Sequence, residues 1–62
     1  MLNINFTSTE EGMEKLRKYV SIRNTMGGAL YWNIVNDDCL RLADALCLAG
    51  TDRNEIESIL NK

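Results

Sequence analysis

The spacing of apolar and polar positions changes along the chain. Leu2, Ile4 and Phe6 alternate with Asn3, Asn5 and Thr7, a period of two that predicts a short strand with one apolar face. A lone strand needs a partner, so this arm must lie on the helices, pair with another segment or pair with a second chain. The period then lengthens. Ser8 followed three residues later by Glu11 matches a capping box, and Glu10 and Glu11 suit the positive end of a helix dipole. Met13, Leu16, Tyr19, Val20 and Arg23 follow at helical spacing, with Ile22 beside them. Glu11 with Lys15 and Glu14 with Lys18 add favourable pairs four apart. Gly12 interrupts this helix at about 1 kcal/mol relative to alanine. Its end falls between Asn24 and Met26, with Gly27-Gly28 as the break.

The next stretch reads two ways. Leu30, Trp32 and Ile34 alternate with Tyr31, Asn33 and Val35, which suits a strand ending at Val35, followed by a helix capped by Asn36 or Asp37. Against that, Trp32, Val35, Cys39, Leu42, Leu46 and Ala49 recur three and four apart, and Asp37 pairs with Arg41 four residues on. One long helix from Ala29 to Leu48 is the favoured reading. Gly50 suits a helix C-terminus and Thr51 the N-cap of a final helix, which carries Ile56, Ile59 and Leu60 on one stripe. Measured from Thr51, Glu55 sits one place beyond the capping-box position. The predicted fold is mainly α: one small three-helix domain over residues 1–62, to which the arm could add a short β-strand. Leu16, Val20, Trp32, Val35, Cys39, Leu42, Leu46, Ile56, Ile59 and Leu60 are the predicted core.

A chain of 62 residues leaves room for a thin core only. Domains of this size often lean on disulfides, a metal or a second copy of themselves. Cys39 and Cys47 lie eight apart in a predicted helix, a rise of about 12 Å, whereas a disulfide needs Cα atoms within about 7 Å. Both are expected as free thiols. With no histidine and two cysteines, a tetrahedral zinc set is not available, and no metal or other cofactor is expected. Self-association remains as a staple, although many domains of this size fold alone, so the chain is expected as a monomer or a homodimer.

Charge changes this picture slightly. The net charge of −2 is split unevenly between the halves. Residues 1–28 set three glutamates against four basic side chains, and residues 29–62 set six acidic against three basic ones. The acidic half disfavours phosphate binding there. Residues 1–6 are too short and polar for a targeting core, and no run of about 18 apolar residues occurs. Together with unpaired thiols, these features place the chain in the cytoplasm, away from any membrane.

Candidate chemistry is sparse. Without histidine the usual general base and triad partner are missing, and no catalytic residue is assigned. Asp37 and Asp38 point about 100° apart on a helix and do not converge on a substrate. Gly27-Gly28 lacks the lysine and spacing of a phosphate loop. A helix-turn-helix fits poorly: Ala43 and Ile56 are too far apart, and Asp52, Glu55 and Glu57 would face phosphates. Two surfaces are left as candidates. Tyr31 and Trp32 opening the second helix, with Phe6 on the arm, suit protein contact, although Trp32 serves equally well as core. Lys15, Arg17, Lys18 and Arg23 on the first helix form the alternative, a nucleic-acid-binding face. The expected function is therefore non-catalytic: a regulator or inhibitor acting on an unidentified protein, of a size that suits a phage or mobile-element modulator of a host protein.

Overall fold

The computed structural model describes residues 2–25 and 27–62. Three helices follow in order: α1 (Thr9–Thr25), α2 (Ala29–Leu48) and α3 (Arg53–Leu60). Met26, at the outer limit predicted for α1, lies outside the described residues. At the start of α1 the Ser8 hydroxyl accepts from the Glu11 amide at 3.2 Å, as a capping box requires. The reciprocal bond is displaced by one residue: Glu11 receives the Thr7 hydroxyl at 2.9 Å and the Thr7 amide at 3.4 Å. Residues 29–35 are helical, so the strand reading of that stretch is set aside. Leu30 and Ile34, four apart, share a face of α2 turned away from the core stripe.

α2 ends in a Schellman turn. The Gly50 amide donates to the Cys47 carbonyl and the Thr51 amide to the Leu46 carbonyl, at 3.1 and 3.0 Å. Gly50 holds φ at +98°, a conformation that side-chain-bearing residues rarely adopt. This turn corrects the predicted cap of α3. Thr51 is used in closing α2, and Asp52 caps α3 instead, its carboxylate accepting from the Asn54 amide at 3.0 Å. Glu55 thereby falls at the third helical position, where an acidic residue suits the dipole.

α1 and α2 form an antiparallel hairpin around Leu16, Tyr19, Val20, Val35, Cys39, Leu42 and Leu46, all buried. Met13 and Ala43 extend this core, and Ile56 and Ile59 close it from α3. Leu60 is partly buried, and Trp32 sits at the edge rather than in the centre.

The arm is extended but forms no strand among the described residues. Its alternation survives as burial: Leu2, Ile4 and Phe6 pack on the core while Asn3, Asn5 and Thr7 face outward. The ladder is absent because helix side chains take the backbone groups. The Leu2 amide donates to Asp38 Oδ2 at 3.1 Å, the Asn3 carbonyl accepts from the Tyr19 hydroxyl at 2.5 Å, and the Asn5 carbonyl accepts from Lys15 Nζ. Asp38 is buried for this purpose. Phe6 reaches the hairpin at Gly12, where an added Cβ would lie 2.6 Å from Leu46 Cδ2 and 3.0 Å from Phe6 Cγ. The glycine that weakens α1 locally is what lets arm and α2 close on it.

Candidate functional site

α2 runs for 20 residues, about 30 Å, and so spans nearly the whole 33 Å long dimension of the molecule. The start of α2 carries the densest exposed apolar surface. Leu30 is 70% exposed, Tyr31 65%, Ile34 40% and Trp32 38%. Gly28 caps this end with extended backbone and no side-chain bond, and a Cβ added there would lie 3.7 Å from Tyr31 Cδ2.

Trp32 is nonetheless held in place. The Arg23 guanidinium lies 5.5 Å from its ring centroid, a cation–π distance. Arg23 is itself fixed: it is 7% exposed, and donates to Asn24 Oδ1 and Asn36 Oδ1, both at 3.1 Å, and to the Leu60 carbonyl at 2.9 Å. One side chain thus ties all three helices together and presents the indole beside an open cleft. Arg23, Trp32, Asn36, Leu40, Leu60 and Lys62 line that cleft, whose volume is about 370 Å³. Its walls are an aromatic face, two leucines and amide and cationic edges, a mixture suited to an apolar side chain arriving with polar flanks.

The predicted site residues are not all brought together. Tyr31 and Trp32 share the exposed end of α2. Phe6 packs against the core at Gly12, half-buried, on the arm. Of the basic residues on α1, Arg17 and Lys18 are exposed. Lys15 reaches the Asn5 carbonyl and lies 3.9 Å from Glu11 Oε1, and Arg23 is turned inward. The inward turn of Arg23 was written in its spacing, since it continues the stripe of Met13, Leu16, Tyr19 and Val20.

Cys39 is fully buried between α1 and α2, and burial pushes its thiol up from the ordinary value. The nearby Arg23 cation opposes that shift and the Asp38 carboxylate adds to it. Cys39 and Cys47 are both free. Among the described residues no group of three or more acidic, histidine or cysteine side chains could hold a metal, and no helix is long and apolar enough to cross a membrane. The chain matches no family model, no curated protein and no solved structure.

Proposed function

We propose that this protein is a non-catalytic, cytoplasmic regulator or inhibitor that acts by gripping another protein with the N-terminal end of α2. The observation that supports this reading is the pairing of exposed Tyr31 and Trp32 with a rigid mount, Arg23, that fixes the indole at the rim of a cleft. Binding energy in protein interfaces concentrates in aromatic anchors, and anchors ordered before binding lose little conformational entropy on docking. The alternative, a nucleic-acid surface on α1, has less to stand on. Of its four cations Arg23 is committed internally and Lys15 is engaged by the arm, which leaves Arg17 and Lys18.

The test compares tagged wild type with Tyr31→Ala and Trp32→Ala in pull-downs from native lysate, with and without nuclease. One protein should be retained by wild type regardless of nuclease and weakened about tenfold or more by each variant, the size of an anchor's loss. Tyr31→Ala is the cleaner variant because most of that side chain is in solvent. Capture that ignores both substitutions would sink the reading, and capture that vanishes with nuclease would favour the α1 surface.

A further inference from the structure

The outward face of α2 has a composition of its own. At about 100° per residue, Leu30 and Leu48 are 18 residues and five full turns apart, on the same line along the helix. Leu48 is 90% exposed, more than any other large apolar side chain described. Between the two leucines the same face carries Ile34, Asp37 and Arg41, the last two bonded at 3.0 Å and both more than half exposed. None of these residues faces α1, α3 or the arm. Tyr31 and Trp32 point to other sides of the helix, so this surface adjoins the proposed grip at Leu30 and Ile34 but does not include its aromatic anchors.

We infer that this face is where a second copy of the chain docks, α2 against α2 in antiparallel orientation. The charge pattern selects the direction. With the two-fold axis crossing the outward face at the level of position 39, each position meets the one equally far on the other side. Leu30 then meets Leu48 of the second copy at both ends, and Asp37 meets Arg41 of the second copy twice near the middle. The two existing ion pairs become a reciprocal group of four charges, and Asp44, at the edge of the strip, comes level with Ile34 of the second copy. Parallel packing would match the leucines equally well, but it would set Asp37 on Asp37 and Arg41 on Arg41, which like-charge repulsion penalises. An isologous contact of this kind closes on itself as a dimer. The strip is about 27 Å long and 10 Å wide. It is smaller than the roughly 800 Å² per partner of a standard interface, so the dimer is weak and in exchange.

Sedimentation equilibrium of the whole chain from micromolar to millimolar concentration reads the association directly. Wild type should move from monomer to dimer across that range. Leu48→Glu should weaken association about tenfold or more, and its circular dichroism should be unchanged because the side chain is in solvent. Asp37→Arg should weaken it comparably, and adding Arg41→Asp should restore it to within about threefold, because opposite charges face each other again. Orientation is read in a background of Cys39→Ala and Cys47→Ala. Leu30→Cys protein mixed with Leu48→Cys protein should cross-link one to the other, and neither should cross-link to itself. A monomer at every concentration, a dimer indifferent to Leu48→Glu, or self-cross-linking of Leu48→Cys would each overturn the inference. None of these changes touches Tyr31 or Trp32, so a failure here leaves the proposed function standing, and the reverse holds too.

Discussion

The α1–α2 hairpin is covered on two flanks by two kinds of chain. On one flank α3 lies along Met13, Arg17, Val20 and Asn24 of α1 and along Leu40, Ala43 and Cys47 of α2. On the other, the arm lies along Gly12, Lys15 and Tyr19 of α1 and meets Asp38 of α2. α3 has hydrogen bonds of its own along the helix and brings Ile56 and Ile59 into the core. The arm has no internal ladder, borrows hydrogen-bond partners from the helices and buries its three apolar side chains only in part. A segment with a 3.6-residue pattern thus contributes mainly burial, whereas one with a period of two and no strand partner depends on a few polar contacts. The α3 flank should be robust and the arm flank switchable by single polar groups.

The sharpest way to break that contrast is to cut matched apolar contacts on both sides. Ile56→Ala should cost about 2–5 kcal/mol in chemical denaturation, as deletion from a filled core does. Phe6→Ala should cost about half as much or less, because the ring is only half-buried. Equal losses would mean that the arm is as integral as α3. Asp38→Ala comes next. It leaves the Leu2 amide without its charged acceptor, at roughly 1.5–3 kcal/mol. Hydrogen exchange should show the Leu2 amide losing protection while α3 amides keep theirs. Uniform loss across the molecule would erase the distinction between the flanks.

Gly12→Ala has a smaller and more diagnostic effect. A helix gains about 1 kcal/mol from the change, and crowding against Leu46 and Phe6 costs about 1–3 kcal/mol. The expected net is a loss of about 1 kcal/mol. Combining the change with Phe6→Leu should recover part of it, because the ring atoms nearest the new methyl are removed. A stabilised Gly12→Ala protein would show that the arm yields freely.

The smallest effect is that of Cys39, which belongs to the hairpin beneath both flanks. Burial favours its protonated form in the folded state. Its contribution is complete below the unfolded thiol value of about 8.5 and is lost as pH rises through the higher folded value. Denaturation midpoints of wild type should therefore fall more steeply above pH 8.5 than those of Cys39→Ala. Iodoacetamide at neutral pH should label Cys47 well before Cys39, read by mass spectrometry.

The three helices were legible because their stripes are long: five residues from Met13 to Arg23 carry the inward face of α1, and Val35, Cys39, Leu42 and Leu46 carry that of α2. The long helix outweighed the strand reading of residues 29–35 for the same reason, since the helical spacing persists to Leu46 while the alternation stops at Val35. The cap of α3 was misplaced by one residue because two helices compete for one junction, and the closing turn of α2 draws in Thr51. The arm was half legible: its alternation fixes which side chains go inward, but a period of two says nothing about what takes the backbone groups. That depends on Asp38, Tyr19 and Lys15, far along the chain. For the candidate site, the exposed aromatics at Tyr31 and Trp32 could be named from sequence. Their mount could not, because the spacing of Arg23 turns it inward but names neither the indole it faces nor the Leu60 carbonyl and Asn36 that hold it.

The contact between Leu2 and Asp38 spans 36 positions, which gives folding during synthesis a timetable. At roughly 5–20 residues per second, about 2–7 s separate the appearance of the arm from that of its anchoring carboxylate. Until Lys15 and Tyr19 appear the Asn5 and Asn3 carbonyls are open as well, and the arm is then an alternating apolar segment of the kind that joins other chains edge to edge. Asn3 and Asn5, which contribute nothing to the core, occupy the positions that interrupt the apolar run, and they keep the waiting segment hydrated until α2 arrives to receive it.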